Sequence, residues 1–235
     1  MKVVILAGGL GTRISEETDS KPKPMVLIGG KPILWHIMNI YASQGFKNFV
    51  IATGYKGEII HQWISSDATQ GWNVEAIDTG LTTMTAGRIS KCLDYIGEEP
   101  VLLTYGDGLG NVQISKSIEF HKSKGLIATV TAVRPPARFG VLQTENGIVT
   151  HFGEKNQTDA GWINGGFFIL EPEIRKFLGG DDQAFEASTL PKLVQNRQLS
   201  AFHHYGFWQP MDTLREKTIL DELAKKDVPE WLGKP

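Results

Sequence analysis

A glycine-rich segment near the start of the chain has the residue types that bind phosphate groups. Its residues are Leu6, Ala7, Gly8, Gly9, Leu10, Gly11, Thr12 and Arg13. The glycines let the backbone approach a phosphate without interference from a Cβ atom and can turn successive N–H groups toward it. Arg13, and Lys23 in the Lys-Pro-Lys-Pro run that follows, add positive charge. The segment therefore predicts a loop that binds a polyphosphate.

Two familiar glycine motifs do not fit this segment. A P-loop requires a Lys-Ser or Lys-Thr pair directly after its last glycine, and a dinucleotide-binding fingerprint requires a third glycine three residues after the second. Here Gly11 is followed by Thr12, Arg13 and Ile14. The sequence therefore disfavours a dehydrogenase. The alternative without a ligand is a tight strand-to-helix turn with a solvated arginine.

Two aspartates are candidates for a metal site. Asp107 follows the apolar run Val101 to Thr104 and lies between two glycines that leave its carboxylate accessible, although aspartate in a glycine turn is common. Asp212 precedes a predicted helix, so it can equally be a helix N-cap. Mg²⁺ takes oxygen ligands and commonly uses one or two carboxylates together with substrate phosphates. The residues alone leave both roles open for Asp212.

Apolar runs alternate with helical patterns in the first part of the chain. The predicted strands are Val3 to Leu6, Phe49 to Ala52, Val74 to Ile77, Val101 to Thr104 and Ala128 to Val133. The predicted helices lie near residues 33–44, 56–65, 85–96 and 113–124. Such alternation predicts an α/β fold with a largely parallel, doubly wound sheet. Ligands bind such sheets at the carboxyl ends of the strands, where the glycine segment and Asp107 lie.

The pattern changes after residue 134. Gly140 to Gln143, Ile148 to Phe152 and Ile163 to Leu170 are short predicted strands, and Asn146-Gly147 is a hairpin-turn signal. We expect these strands to form an antiparallel extension over the ligand edge of the sheet. Predicted helices at 172–178, 186–196 and 213–226 and a strand at 199–204 complete one domain of residues 1–235.

Length, composition and charge limit the possible classes of protein. A chain of 235 residues with 41% hydrophobic residues can bury a full core. A formal net charge of -2, without a basic stripe, argues against binding to nucleic acid or an anionic membrane surface. The apolar runs are far shorter than a membrane span, and no signal-peptide pattern follows Met1. We therefore expect a cytoplasmic protein.

Cys92 is the single cysteine, so the chain cannot form an internal disulfide bond. Ile89, Leu93 and Ile96 share a helical face with it. This spacing predicts that Cys92 packs in the core and is not a nucleophile.

Seven further blocks of sequence, spread over nearly the whole chain, carry a resemblance to a known family. They are Ser15 to Thr18, Lys21 to Met25, Ile33 to His36, Met84 to Arg88, Thr104 to Gly108, Ile163 to Phe168 and Gly206 to Thr213. Together with the Gly-Thr-Arg end of the glycine segment, they resemble the sugar-1-phosphate nucleotidylyltransferases. Within that family they are most similar to the cytidylyltransferase branch.

The resemblance implies a fold and an activity. The fold is a Rossmann-like, doubly wound mixed sheet of the nucleotide-diphospho-sugar transferase type, with a small antiparallel extension. The activity is transfer of a cytidylyl group from CTP to glucose 1-phosphate, with Mg²⁺ as cofactor, to give CDP-glucose for polysaccharide biosynthesis. An oxygen of the sugar phosphate attacks the α-phosphate of the nucleotide in line. Because this oxygen is already an anion, no general base is required.

The resemblance also implies roles for the charged residues. Arg13 contacts the β- and γ-phosphates, Lys23 contacts the α-phosphate, and Asp107 and Asp212 hold Mg²⁺; Arg13, Lys23 and Asp107 are the predicted catalytic residues. The predicted nucleotide-binding residues are Leu6, Ala7, Gly8, Gly9, Leu10, Gly11, Thr12, Arg13, Lys23, Thr83, Arg88 and Gly106. A solvated proline-rich linker is the plainer interpretation of the lysine run. Thr83 and Arg88 can also belong to a helix start with Thr85 as its N-cap.

On the sugar side the match is less complete. The predicted sugar-phosphate-binding residues are Glu154, Lys155, Asn164, Gly165 and Trp208. Glu154-Lys155 matches the family's Glu-Lys-Pro element, but Asn156 replaces the proline. Without the resemblance, a surface ion pair is the preferred interpretation of Glu154-Lys155. Core packing is an equally good interpretation of Trp208.

Two other departures affect what can be transferred from the family. Ala86 replaces the first glycine of the family's Gly-Gly-Arg, and the connection from Ile64 to Trp72 is short where the cytidylyltransferases usually carry an insertion. Such insertions often make subunit contacts, so the form of the oligomer cannot be transferred from the family. We still expect a homo-oligomer. UTP, dTTP or another sugar 1-phosphate as substrate remain alternatives. A non-catalytic nucleotide-sugar-binding regulator is disfavoured because the phosphate and metal residues are all present.

Overall fold

The computed structural model describes residues 1–66, 69, 71–136, 140–154 and 161–233. Its strands are β1 (Lys2–Leu6), β2 (Leu27–Ile28), β3 (Lys31–Pro32), β4 (Asn48–Thr53), β5 (Asn73–Asp78), β6 (Val101–Tyr105), β7 (Gly108–Gly110), β8 (Ala128–Val133), β9 (Gly140–Glu145), β10 (Ile148–Glu154), β11 (Ile163–Leu170), β12 (Leu199–His203) and β13 (Trp208–Pro210). Its α-helices are α1 (Ser15–Thr18), α2 (Ile33–Ala42), α3 (Gly57–Ile64), α4 (Thr85–Ile96), α5 (Ile114–Lys124), α6 (Phe185–Gln195) and α7 (Leu214–Ala224). The predicted helix at 172–178 is instead a 3₁₀ helix, Pro172–Lys176.

The central sheet has seven strands in the order β12-β8-β11-β6-β1-β4-β5. Strands β6, β1, β4 and β5 run parallel to one another, and β12 runs parallel to β8. Strand β11 runs antiparallel to both β6 and β8. The predicted α/β fold with a doubly wound mixed sheet is therefore confirmed.

Helices cover both faces of this sheet, and the alternation of side chains along a strand divides the core in two. On β1, Val3 and Ile5 pack in one cluster with α2, while Val4 and Leu6 pack in the other with α4 and α6. Cys92 of α4 lies in the second cluster, and burial raises the pKa of its thiol to about 12. The predicted core packing of Cys92 is confirmed.

The position of β11 differs from the expectation. We expected Ile163 to Leu170 in an antiparallel extension, but the strand lies in the middle of the central sheet. Phe167 and Ile169 face one core cluster, and Phe168 and Leu170 face the other. A strand that is apolar on both faces is stabilised where helices cover both sides. The extension therefore contains only β9 and β10.

The β9–β10 hairpin turns at the predicted place. Asn146 and Gly147 have φ values of 49° and 80°, which is the left-handed geometry of a tight hairpin turn. The two strands pair with each other in a separate two-stranded sheet. The predicted hairpin is confirmed.

A second small ribbon joins two distant parts of the chain. Strand β13 pairs antiparallel with β7, so that Pro210 lies opposite Gly108. Directly after this ribbon, the Met211 N–H donates to the carbonyl of Asp107 at 2.8 Å. The ribbon therefore brings Asp212 beside Asp107.

Across the described ranges, no helix combines the length and the apolar composition needed to cross a lipid bilayer.

Candidate active site

A cleft of about 850 Å³ opens beyond the carboxyl ends of β1 and β6. Every predicted nucleotide-binding residue lines it, namely Leu6, Ala7, Gly8, Gly9, Leu10, Gly11, Thr12, Arg13, Lys23, Thr83, Arg88 and Gly106. Asp107 lines the same cleft. The fold thus brings together residues that the sequence places in four separate segments.

The glycine loop is held at its start and open further along. Its Ala7 N–H donates to the carbonyl of Ala52 at 2.9 Å, and the Gly8 carbonyl accepts from the Tyr55 N–H at 3.2 Å. Apart from its chain neighbours, no described atom lies within 4 Å of the position that a Cβ atom would take at Gly9. Gly11 has a φ of +67°, which favours glycine and turns the chain into a short 3₁₀ helix. The loop therefore presents bare backbone to the cleft.

Lys23 lies between the two predicted metal ligands. Its Nζ atom donates to Asp107 Oδ2 at 2.7 Å and to Asp212 Oδ1 at 2.6 Å. Arg13 Nη1 donates to the other oxygen of Asp212 at 2.7 Å. Burial lowers the pKa of Lys23, but the charges and hydrogen bonds of the two carboxylates outweigh burial and give a net rise. The ammonium group is therefore charged, and the proline-rich run around it is not a solvated linker, since Lys23 is 8% exposed.

Asp212 is not the N-cap of α7. The N-cap is Thr213, whose hydroxyl accepts from the Glu216 N–H at 3.3 Å, while the Glu216 carboxylate accepts from the Thr213 N–H at 3.0 Å. This reciprocal capping box satisfies the first amides of the helix. The N-cap interpretation of Asp212 is therefore wrong, and its carboxylate serves the cluster with Lys23 and Arg13.

Arg88 has more contacts with the protein than the sequence indicated. Its guanidinium donates to the carbonyls of Gly8 at 3.0 Å, Thr53 at 2.9 Å and Leu81 at 3.4 Å, and to the hydroxyl of Thr79 at 2.5 Å. Only 4% of the residue is exposed, and burial lowers its pKa. Arg88 thus holds the glycine loop in position through its hydrogen bond to the Gly8 carbonyl. A direct contact with the nucleotide stays a prediction.

Thr83 borders the cleft, and its hydroxyl accepts from Lys91 Nζ at 3.2 Å. The predicted N-cap at Thr85 is wrong, because the N-cap of α4 is Met84, without a side-chain bond. Thr85 is the first residue of the helix, and its hydroxyl donates to the Glu186 carboxylate at 2.9 Å. Side-chain contacts with α6 therefore fix this end of α4.

The predicted sugar-side residues lie next to the cleft. Asn164, Gly165 and Trp208 line a second cavity of about 40 Å³, which shares Tyr105 and Asp107 with the cleft. The indole Nε1 of Trp208 donates to the Gly165 carbonyl at 2.8 Å. The sugar-binding role of these residues stays a prediction.

The remaining sugar-side residues fall at the edge of the description. Glu154 ends β10, and its side chain lies outside the described part of the chain. Lys155 and Asn156 lie outside the described residues altogether.

Sequence reasoning did not select several residues that line the cleft. They are Pro24, Leu81, Thr82, Met84, Thr85, Tyr105, Ala184 and Glu186. Tyr105 could have been found, because it directly precedes the predicted Gly106-Asp107 pair. Ala184 and Glu186 carry no local motif, and they reach the cleft only because α6 packs against α4.

Comparisons with known proteins agree with this geometry. The model of the nucleotidyl transferase family matches residues 2–215. A glucose-1-phosphate cytidylyltransferase from Salmonella typhi is 47% identical over 253 residues, covering 98% of each chain. A mannose-1-phosphate guanyltransferase from Saccharomyces cerevisiae is 30% identical, covering 96% of this chain and 66% of that protein.

A solved structure has a similar fold. The crystal structure of HddC from Yersinia pseudotuberculosis superposes with a TM-score of 0.75 at 28% identity, covering 94% of this chain and 98% of that one. The family match spans the glycine loop, Lys23 and both aspartates. By this match and by its identity to curated relatives over almost its whole length, the chain belongs to the nucleotidyl transferase family.

Proposed function

We propose that this chain transfers a cytidylyl group from CTP to glucose 1-phosphate, forming CDP-glucose and pyrophosphate. The observation that carries the proposal is a glycine-rich cleft lined by Lys23 and Asp107, with Asp212 bonded to the Lys23 ammonium. The choice of CTP and glucose 1-phosphate is supported by the relative from Salmonella typhi, which is 47% identical over 98% of both chains.

The reaction requires positioning and charge neutralisation more than proton transfer. The attacking phosphate oxygen is an anion at neutral pH, so the protein supplies no general base. Backbone N–H groups of the glycine loop and the Arg13 guanidinium would bind the departing β- and γ-phosphates. Lys23 would stabilise the negative charge that develops on the α-phosphate. Lys23 is suited to this role because its ammonium group is charged and is held beside Asp107 in the cleft.

The two carboxylates that contact Lys23 are suitable ligands for a divalent cation. Oxygens of Asp107 and Asp212 converge on one cation, the Lys23 ammonium, at 2.7 and 2.6 Å, so the two carboxylates can share a single positive charge. Among the described residues, no group of three or more His, Cys, Asp or Glu side chains could hold a metal ion. Two carboxylates completed by substrate phosphates and water are typical of Mg²⁺ sites. We propose that Asp107 and Asp212 hold Mg²⁺, which neutralises phosphate charge and orients the reacting groups.

On the sugar side, we propose that Glu154 accepts hydrogen bonds from sugar hydroxyls and that Lys155 binds the sugar phosphate. Asn164 and Gly165 would border the sugar ring, and Trp208 would hold Gly165 in place through the hydrogen bond described above. Asp107 lines the small cavity together with Asn164, Gly165 and Trp208, which supports this arrangement.

Further properties are proposals of the same kind. We propose that residues 1–235 form one domain, since both core clusters pack on one sheet. A net charge of -2 supports a protein without nucleic-acid partners. We propose that it works in the cytoplasm as a homo-oligomer.

A screen of pyrophosphate release tests the proposal. The purified protein is incubated with Mg²⁺ and each combination of CTP, UTP, dTTP, GTP or ATP with glucose, galactose or mannose 1-phosphate. Cytosine and uracil exchange donor and acceptor positions, so a wrong base leaves at least one buried group unpaired, which costs about 1 to 3 kcal/mol. We therefore expect CTP to be preferred to UTP at least about tenfold, with glucose 1-phosphate as the best acceptor. Equal or faster turnover with UTP or dTTP contradicts the cytidylyl assignment.

The Lys-Pro-Lys-Pro run offers a matched control for the same screen. Lys21 is half-buried and lies 3.6 Å from Glu17, away from the two aspartates. We expect Lys23→Met to reduce turnover at least about a hundredfold, because the variant lacks the positive charge that would stabilise the transition state. Lys21→Met should keep wild-type turnover within about threefold, since a partly exposed ion pair between neighbouring turns contributes little. Full activity in the Lys23 variant contradicts the assignment of this residue.

A further inference from the structure

A chain of hydrogen bonds crosses the wall between the cleft and the small cavity. Asn164 Nδ2 donates to Tyr105 Oη at 3.1 Å, and Tyr105 Oη donates to Glu186 Oε1 at 2.5 Å. The hydroxyl of Thr85 donates to the other carboxylate oxygen of Glu186 at 2.9 Å. We call these four residues the polar relay.

The direction of each bond in the polar relay follows from the chemistry of the groups. Burial raises the pKa of Tyr105, and the neighbouring Glu186 carboxylate raises it further, so the phenol keeps its proton and donates. The Phe185 N–H donates to the Thr85 hydroxyl at 2.7 Å, which leaves the Thr85 proton for Glu186. The carboxylate accepts one donor at each of its two oxygens, whereas a glutamine amide keeps an acceptor at only one of these positions and a methyl group at neither.

The sugar-side end of the polar relay is rigid. Asn164 Oδ1 accepts from the Gly166 N–H at 2.8 Å. Gly166 has a φ of +80°, and a Cβ atom there would lie 2.7 Å from Cδ2 of Tyr105, so the ring packs directly on the backbone. The ring of Tyr105 therefore lies directly against the strand that carries Asn164 and Gly165.

The other end of the polar relay lies on the nucleotide side. Thr85 follows Leu81 to Met84, all of which line the cleft. Glu186 lies on α6, and its side chain contacts both Tyr105 and Thr85. Its two oxygens therefore join Tyr105, at the end of β6, to Thr85, at the start of α4.

We propose that Glu186 is a positioning residue that holds Tyr105 and Thr85 and thereby couples the nucleotide side of the site to the sugar-phosphate side. The inference rests on the proposed function only in requiring two substrates, one on each side. Loss of the carboxylate releases both donors, so it affects the binding of both substrates and not of one alone.

Steady-state kinetics of Glu186→Ala and Glu186→Gln test this inference, using the substrate pair on which the wild-type protein is fastest in the screen. We expect Glu186→Ala to raise the KM of the nucleotide and of the sugar phosphate about five- to tenfold each. Glu186→Gln accepts only one of the two bonds, and we expect KM values between those of the wild type and the alanine variant. Glu222→Ala is the control, because Glu222 is an exposed glutamate that contacts only Lys225 among the described ion pairs; it should keep both KM values.

A thermal melt separates positioning from simple support of the fold. A lower Tm in Glu186→Ala with both KM values unchanged shows a purely structural role and overturns the inference. A rise in one KM alone also overturns it, because the coupling between the two sides is then absent.

A double-mutant cycle with Tyr105→Phe gives a second test. If Tyr105 acts through Glu186, the double variant should show a KM for the sugar phosphate within about twofold of the worse single variant. Multiplication of the two single effects shows independent action and overturns the inference. A wild-type preference for another nucleotide refutes the cytidylyl proposal alone, since the polar relay is then measured with that nucleotide.

Discussion

Replacing Arg88 with methionine should destabilise the protein even without substrates. The variant keeps an unbranched apolar side chain and removes a guanidinium that donates to Gly8, Thr53, Thr79 and Leu81. Three of these bonds are 3.0 Å or shorter. Without the donor, the Gly8 carbonyl, the Thr53 carbonyl and the Thr79 hydroxyl each lose one hydrogen bond, while both carbonyls keep a backbone N–H donor.

The size of the effect follows from these contacts. A hydrogen bond to a charged donor contributes about 1.5 to 3 kcal/mol, so three of them sum to about 4.5 to 9 kcal/mol. Methionine avoids the cost of burying a charge, which offsets part of this sum. We therefore expect the free energy of unfolding to fall by about 3 to 5 kcal/mol. With a urea m-value of about 3 kcal/mol/M, the midpoint of unfolding should fall by about 1 M or more.

Urea unfolding of the substrate-free protein, followed by circular dichroism, measures this loss. Arg215→Met is the matched control, because Arg215 is an exposed arginine on α7, and its substitution should change stability by less than about 0.5 kcal/mol. Arg88→Lys keeps the charge but not the planar fork, so we expect an intermediate loss. A loss below about 1 kcal/mol in Arg88→Met, together with a raised KM for the nucleotide, would refute the positioning role and show that Arg88 acts mainly on the ligand.

Three other predictions concern the metal ligands, the cysteine and buried histidines. Asp107→Asn and Asp212→Asn should each lower kcat at least about a hundredfold with excess Mg²⁺ and keep a near wild-type thermal melt, because both carboxylates lie on partly exposed loops; near-normal turnover would remove that residue from the proposed metal site. Cys92, buried and with a pKa of about 12, should react with an aromatic disulfide reagent only after unfolding, and rapid reaction of the native protein would contradict its core position. Burial lowers the pKa of His36 and His204 below the ordinary 6.5, so the unfolded chain binds protons that the native state does not. Stability should therefore fall as pH falls below about 6.5, by up to about 1.4 kcal/mol per pH unit for each histidine, and urea midpoints that stay constant from about pH 7 to about pH 5 would contradict this.

The chemistry of the cleft was largely predictable because its motifs are local. Gly8 to Arg13 form a contiguous loop, and Asp107 directly follows a strand whose apolar run is evident in the sequence. The α/β alternation predicts that the strands before these two segments end at the same edge of the sheet. Local spacing alone therefore predicts that the glycine loop and Asp107 lie at one edge of the sheet.

The contacts that could not be predicted join residues far apart in the sequence. Arg88 reaches a carbonyl 80 residues away, and Glu186 reaches a phenol 81 residues away. No periodicity selects such partners, because they depend on how α4 and α6 pack. The same limit explains the wrong position of β11: its apolar residues predicted a strand, but a strand's periodicity does not name its neighbours in the sheet.

The ribbon of β7 and β13 has a consequence for the order in which the protein is completed during synthesis. All seven strands of the central sheet lie before residue 204, whereas Asp212 follows the last strand of the ribbon. The ribosome therefore adds every strand of the sheet to the chain before it adds the second carboxylate of the cluster. Strands β1, β4, β5 and β6 all end before residue 106, so they can pair in a nascent chain that still lacks Asp212.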